Sequence, residues 1–248
     1  MFSNQCSVIK FYHKKSAKPL GSTIPLKINK KRESNISVPF KQMSILLHPT
    51  YFPNISYFVG MINAESITFE VEDNYQKQTF RNRTSIYAAN GILILSIPVV
   101  FTQKNRQKFK DIKIANETNW QTQHWKSLQS AYSTSPFFEF YQDELQPLFD
   151  YKETYLLDFN FKCLNVIYDC LQLDLKFSKT ESYQNITDDK TDLRHLANTK
   201  LEQGQLFSAY TQVFDSKYGF KNNLSILDLL FNEGPNAVNY LQSQKLIV

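Results

Sequence analysis

Residues 43–71 alternate between two short apolar runs and one helical pattern, and this alternation restricts the fold more than any other feature. Met43–Leu47 and Ser66–Val71 are rich in apolar and β-branched residues, which is typical of strands. Between them, Asn54–Asn63 has apolar residues at positions 55, 58, 59 and 62, the spacing of an amphipathic helix that begins after Pro53. This order of strand, helix and strand predicts neighbouring strands of an α/β layer.

The remaining patterns add one apolar strand and then mostly helices. Ser85–Ala89 is a strand or a short helix, and Ile92–Val100 is so apolar that we expect a strand with both faces covered. Beyond it we predict helices at 118–131, 137–148, 152–171, 192–201 and 225–232, and strand candidates at 173–177 and 207–214. The predicted class is α/β, with a three-layer-like core, a small mostly parallel sheet in the N-terminal half and a helix-rich C-terminal half.

Two helix starts carry capping signals. Thr118 is the predicted N-cap of the first helix after the apolar strand. Ser225 and Asp228 have the spacing of a capping box, so we assign Asp228 to capping rather than to chemistry.

Positive charge is concentrated at the start of the chain. Residues 1–42 contain nine Lys/Arg and one acid, a charge of +8, so the total of +5 leaves −3 for residues 43–248. The predicted division is a basic N-terminal extension, residues 1–42, and a single domain, residues 43–248. The extension is either a basic interaction arm or a loosely packed segment, and a mildly acidic body gives no reason to expect specific nucleic-acid binding.

Cysteine content, apolar run length and motifs exclude several other classes. Three cysteines are too few for a disulfide framework, and Cys163 and Cys170 have the pattern of core thiols in a reducing compartment. The apolar run 92–101 is shorter than the roughly 20 residues that cross a bilayer. Glycine-rich phosphate loops, nucleophile elbows and metal-ligand motifs do not occur in the sequence. We therefore expect no cofactor, no metal and no transmembrane segment.

The stretch HPTYFP, residues 48–53, interrupts the end of the first strand. Because α/β sheets bind ligands at the carboxyl ends of their strands, His48 and Tyr51 are candidate site residues. The prolines stiffen this turn. It is either a rigid turn with a satisfied histidine or one lip of a pocket.

The segment EDNYQKQTFRNR, residues 72–83, follows the second strand and should lie at the same edge. Asp73 could orient His48 or act as a base, and Arg81 and Arg83 could bind a carboxylate or phosphate. A solvated polar loop is the alternative.

A third segment, NWQTQHWKSL, residues 119–128, places Trp120, His124 and Leu128 on one helix face. This histidine is either a second acid–base group or a core residue with one hydrogen bond.

Four blocks together resemble the WbqC-like protein family, in the form common in Bacteroidetes-type bacteria: ILLHPTYFPNI, EDNYQKQTFRNR, NWQTQHWKSLQSAYSTSPFFEFY and FKNNLSILDLLFNEGP. The resemblance covers about residues 43 to 241. It implies a cytoplasmic bacterial protein associated with cell-surface polysaccharide or O-antigen biosynthesis. Its implied activity is modification of an activated amino sugar by acyl or aminoacyl transfer.

The resemblance also implies site residues. The catalytic candidates are His48, His124 and Asp73. The family pattern also covers Asp228, and the substrate-binding candidates are Tyr51, Arg81, Asn82, Arg83, Trp120 and Asn223. The chain has no histidine at the end of its third strand, where close relatives are expected to have one, so a role for a third histidine is not carried over.

Two functions remain open from the sequence. In the first, a transferase uses histidine acid–base chemistry and arginine to anchor an anionic group of a sugar substrate. In the second, a non-catalytic accessory module binds a nucleotide sugar, a glycan lipid or a protein partner. The sequence does not specify the oligomeric state.

Overall fold

The computed structural model describes residues 43–101, 106–174, 176–183, 185, 189–200 and 204–247. The strands are β1 Ser44–Leu47, β2 Ser66–Phe69, β3 Arg83–Ala88, β4 Gly91–Ser96, β5 Val99–Val100, β6 Lys113–Ile114, β7 Phe177–Lys179 and β8 Thr191–Asp192. The helices are α1 Ile55–Ile62, α2 Trp120–Tyr132, α3 Phe138–Leu145, α4 Pro147–Asp150, α5 Leu156–Cys170, α6 Asp215–Tyr218, α7 Ile226–Glu233 and α8 Ala237–Ser243. Residues 1–42 lie outside the described residues, so the predicted domain division remains a prediction.

A small parallel sheet confirms the predicted α/β class. Its strand order is β7-β2-β1-β8, and β1 pairs in parallel with both β2 and β8. The predicted β1–α1–β2 unit supplies the two central strands. The edge strands β7 and β8 come from the second half of the chain, which is otherwise largely helical.

The start of helix α1 is stabilised by a distant asparagine. The backbone N–H of Ser56 donates to Asn223 Oδ1 at 2.8 Å, so Asn223 satisfies one of the free donors in the first turn. Asn223 has a positive φ of 52°, a conformation that asparagine tolerates better than most residues. This contact gives Asn223 a structural role at the start of α1.

The third predicted strand does not join the parallel sheet. Residues 92–96 form part of β4, which pairs antiparallel with β3, and the chain turns at Pro98 into β5. The prediction that both faces of this strand are covered was wrong, because Ile92 and Ile94 are 55% and 53% exposed. High apolar content cannot by itself tell a covered strand from an exposed one.

Several boundaries also differ from the sequence predictions. Residues 207–214 form no strand, because side-chain hydrogen bonds hold this segment in place of a ladder. Asn119, not Thr118, precedes α2, and the Thr118 hydroxyl donates to the Ala115 carbonyl instead. The predicted helix 137–148 is interrupted at Gln146, and the predicted helix 192–201 is a short 3-10 helix, Arg194–Ala197, preceded by β8.

Asp228 is a buried anchor rather than part of a capping box. Ser225 does cap α7, accepting from the Leu227 N–H, but the Asp228 carboxylate faces inward and is 0% exposed. It accepts hydrogen bonds from the Tyr132 hydroxyl at 2.8 Å, the Tyr210 hydroxyl at 2.6 Å and Gln212 Nε2 at 2.8 Å. Burial raises the pKa of Asp228, although these hydrogen bonds oppose the rise. The carboxylate thereby fixes the 205–215 segment to α2 and α7.

Replacing Asp228 by alanine should therefore be strongly destabilising. Three buried donors would lose their acceptor, so we expect Asp228→Ala to lower the free energy of unfolding by about 3 kcal/mol or more. Urea denaturation measures the change. The matched control is Asp143→Ala, since Asp143 is exposed on α3, and it should cost less than about 0.5 kcal/mol. Equal effects of the two variants would contradict the anchoring role.

Candidate active site at the carboxyl edge of the sheet

Three adjacent parallel strands end at one cavity of about 220 Å³. His48 follows β1, Asp73 lies in the segment after β2, and Arg194 and His195 follow β8. This is the edge at which α/β sheets commonly bind ligands. The lining residues are His48, Asp73, Gln76, Thr79, Arg81, Tyr183, Arg194, His195, Ala197 and Asn198.

The segment 72–83 forms an ordered wall of this cavity. Phe80 accepts a hydrogen bond from the Tyr51 N–H at 3.0 Å and donates one to the Ala197 carbonyl at 2.8 Å. Asn160 of α5 donates from Nδ2 to the Arg81 carbonyl at 2.8 Å. These bonds join the wall to the HPTYFP turn, to the segment after β8 and to the helical half. The alternative of a solvated loop is thus excluded for residues 79–82.

Arg81 is the central buried charge of the site, with only 1% of its surface exposed. Its Nη2 donates to Asp73 Oδ2 at 2.6 Å and to His48 Nε2 at 2.9 Å, and its guanidinium lies 5.5 Å from the Phe109 ring centre. Its Nε and Nη1 atoms have no hydrogen-bond partner among the described residues. Two donor nitrogens of a buried cation thus lack partners, which marks Arg81 as a candidate ligand-binding group.

The contact with Arg81 determines the protonation state of His48. A guanidinium has no acceptor atom, so His48 Nε2 must be the acceptor and the imidazole is neutral. Burial and the positive charge of Arg81 hold the pKa of His48 well below its ordinary value. The Asp73 Oδ2 atom lies 3.5 Å from His48 Nε2, too far for a good hydrogen bond.

Arg194 and His195 are site residues that the sequence patterns did not indicate. Arg194 donates from Nε and Nη2 to the two Asp192 carboxylate oxygens at 2.9 and 2.6 Å, and its Nη1 lies 3.9 Å from buried Glu70 Oε2. His195 is half-buried on the cavity wall. Both reach the site only because the two-residue strand β8 pairs with β1, and a strand that short leaves no periodic signal in the sequence.

Tyr51, His124 and Trp120 form a separate buried cluster. The Tyr51 hydroxyl and His124 Nδ1 share a hydrogen bond of 3.0 Å, and the Trp120 ring packs edge-on against His124 with centroids 5.1 Å apart. Burial lowers the pKa of His124 to about 4, although a bond with the Ser96 backbone opposes this. None of the three lines the cavity, so the structure does not bring His48 and His124 into one site.

Asn82, Arg83 and Asn223 also lie outside the cavity lining. Asn82 Nδ2 donates to the Ile97 carbonyl at 2.9 Å, and Arg83 pairs with Ser96 at the start of β3. Of the nine residues predicted from sequence, the cavity brings together His48, Asp73 and Arg81. Among the described residues there is also no cluster of three His, Cys, Asp or Glu side chains that could hold a metal ion.

The sequence matches the profile of a known protein family over more than half of its length. The sequence profile of the WbqC-like protein family matches residues 48–209. The chain belongs to the WbqC-like protein family. The match begins at His48 and includes all ten cavity residues, whereas Asn223 and Asp228 lie beyond its end.

One similar protein shares almost its whole length with this chain. The uncharacterized protein Rv1507c of Mycobacterium tuberculosis is 26% identical over 224 residues, covering 79% of this chain and 96% of the relative. No solved structure matches the chain. Within the part of the chain that the structure describes, no helix is both long enough and apolar enough to cross a membrane.

The burial of His124 predicts a pH-dependent stability. Unfolded His124 has an ordinary pKa of 6.5 and folded His124 one of about 4, so the unfolded chain binds the proton more readily between these values. The resulting stability is complete above pH 6.5 and is lost as the pH falls towards 4.

We therefore expect wild type to lose about 3 kcal/mol more than His124→Gln between neutral pH and pH 4. Urea denaturation of both proteins across this range measures the difference. Parallel pH profiles for the two proteins would show that His124 does not titrate as a buried neutral histidine.

Proposed function

We propose that this WbqC-like chain is a transferase that modifies an activated amino sugar, by acyl or aminoacyl transfer, in bacterial cell-surface polysaccharide biosynthesis in the cytoplasm. Arg81 anchors an anionic group of the substrate, and His48 takes up or gives the proton. The observation that carries this proposal is Arg81 itself, a buried residue of the cavity lining that bonds a neutral histidine and has two donor nitrogens without a described partner.

Directional donors rather than net charge would recognise the substrate. Asp73 offsets the charge of Arg81, and Asp192 offsets that of Arg194, so the cavity walls carry matched charges of both signs. Such a site suits a group that has an anionic oxygen for a guanidinium and an amine or hydroxyl donor for a carboxylate. An amino sugar that bears a phosphate or a carboxylate has both features, because its amine and hydroxyl groups are donors and its anionic oxygens are acceptors.

The cavity size limits what enters. Its volume of about 220 Å³ is below the roughly 300–1,000 Å³ of pockets that enclose a whole drug-sized ligand. Only the reacting end of a nucleotide sugar or lipid-linked sugar would fit inside. The remainder would lie in solvent or against the outer surface.

His48 becomes a base in this scheme when the substrate recruits Arg81. In the structure, His48 Nε2 accepts a hydrogen bond from Arg81 Nη2, so its lone pair cannot accept a proton. An anionic group that attracts the guanidinium would free Nε2, which could then accept the proton of the attacking amine or hydroxyl. The low pKa of His48 keeps the imidazole unprotonated before that step.

One specific observation favours a second candidate function, a binding module without chemistry. Because His48 Nε2 already accepts from Arg81, the histidine can serve solely to orient the guanidinium. The same pocket would then hold a nucleotide sugar or glycan lipid for a partner enzyme. Ligand stabilisation without product formation would distinguish this function from the transferase.

Arg81 provides the test of ligand binding. We expect a nucleotide sugar, acyl-CoA or pyrophosphate to raise the melting temperature of wild type, and Arg81→Lys to weaken its affinity by roughly 10- to 100-fold, measured by isothermal titration calorimetry. Lysine keeps the charge beside Asp73 but loses the planar set of donors.

Two controls separate binding from stability. Tyr132→Phe removes a buried hydroxyl of the Asp228 network and should lower stability without changing affinity. Lys126→Gln removes an exposed charge on α2 and should change neither. If none of the probes binds wild type, or if Arg81→Lys binds as wild type does, Arg81 is a structural cation and the proposed site fails.

His48 provides the test of chemistry. His48→Gln keeps an acceptor oxygen for Arg81 but cannot exchange a proton at neutral pH. We expect ligand affinity to change by less than about 3-fold and turnover of the bound substrate to fall by roughly 10²- to 10⁴-fold. Product formation by mass spectrometry gives the turnover. Full turnover by the variant would exclude His48 as the acid–base group, and binding without turnover by wild type would support the binding module.

A further inference from the structure

The outer edge of strand β4 is apolar and pairs with no other strand in the described part of the chain. In the β3–β4 hairpin the Ile97 N–H donates to the Asn82 carbonyl, so residues 82 and 97 form a hydrogen-bonded pair. Hydrogen-bonded and non-hydrogen-bonded pairs alternate along an antiparallel ladder, and the register therefore makes 84–95, 86–93 and 88–91 the bonded pairs. The backbone groups of Ile92 and Ile94 consequently point away from β3.

The two edges of this hairpin are treated differently. On β3, the outward Ser85 carbonyl accepts from the Ser225 N–H at 2.9 Å, and the outward Tyr87 N–H donates to the Tyr132 hydroxyl at 3.1 Å. On β4, no described residue bonds the outward N–H and C=O groups of Ile92 or Ile94. One edge is thus closed by the body of the protein, whereas the other has no backbone partner among the described residues.

The open edge also lacks the usual protection against strand pairing. Proteins blunt exposed edges with lysine, proline or bulges. Here no charged residue occurs between Arg83 and Lys104, and β4 contains no proline. Ile92 and Ile94 project their side chains from one face with more than half of their surface exposed, and an apolar groove of about 290 Å³ opens beside Ile92.

We propose that this edge pairs with β4 of a second copy of the chain, forming a symmetric dimer. The sequence Ile92-Leu93-Ile94 reads the same in both directions, so antiparallel pairing about a two-fold axis at Leu93 places isoleucine opposite isoleucine and leucine opposite leucine. The hydrogen-bond parity agrees, because this register pairs Ile92 with Ile94 of the second copy, the two residues whose backbone groups are open. The absence of charge means that no like charges face each other across the axis.

The size of the contact sets the expected strength. A short edge and its flanking apolar surface form an interface at the lower end of the stable range, so we expect a reversible dimer with a micromolar dissociation constant. The self-association is independent of the cavity chemistry, since no cavity residue lies on β4.

Sedimentation velocity of the full chain across micromolar concentrations is the first test. Wild type should shift from the 29.0 kDa monomer to twice that mass as concentration rises. Ile94→Lys would place an ammonium against Ile92 of the second copy and should weaken the dimer by roughly 10-fold or more. The matched control is Phe140→Lys, at a residue 72% exposed on α3, which should dimerise as wild type does.

A crosslinking test fixes the register. At a non-hydrogen-bonded pair the Cα atoms are about 4.5 Å apart, within the range for a disulfide, so Leu93→Cys should form a covalent dimer under mild oxidation. Ile92→Cys should crosslink much less, since its partner in this register is Ile94. A wild type that stays monomeric at every concentration, or a dimer that Ile94→Lys leaves intact, would overturn the proposal.

Discussion

The burial of the Arg81 guanidinium is the constraint on which the rest of the site depends. A cation removed from water must be paired, and Asp73 provides the pairing while His48 accepts a second hydrogen bond from the same nitrogen. The Arg81 backbone is held in turn by Asn160 of α5. Because His48 follows β1 and Asp73 follows β2, one buried charge ties together two strand ends and the helical half of the molecule.

Two polar networks therefore have different tasks. The network around Arg81 reaches a cavity and leaves two donor nitrogens without described partners, which is an expensive arrangement unless a ligand or water uses them. The network around Asp228 is closed, with three donors converging on one carboxylate, and none of its residues lines the cavity. Unpartnered donors together with a position on the cavity lining separate a candidate binding group from a structural one here, and residue type alone would not.

The sequence predicted the local parts of this arrangement well. The β1–α1–β2 unit has strong periodicity, and parallel strands necessarily bring the segments after β1 and β2 to one edge, so His48, Asp73 and Arg81 were foreseeable neighbours. The contributions of the second half to this edge were not foreseeable, although a strand predicted at 173–177 overlaps β7 at Phe177. Strands β7 and β8 contain three and two residues, too few for a period to be recognised. The predictions for 207–214 and for both faces of 92–100 failed because apolar content does not specify which neighbour, if any, covers a segment.

What the sequence by itself determined is the α/β class, the order of its central elements and the membership of one family. Local backbone preference and hydrophobic period carry that information along the chain. Tertiary structure alone decided that Arg194 and His195 join the cavity, that His124 and Tyr51 stay in the core, and that no described strand pairs with the outer edge of β4. These outcomes depend on contacts between residues far apart in sequence, whose free energy depends on which surfaces meet and cannot be assigned to either segment on its own.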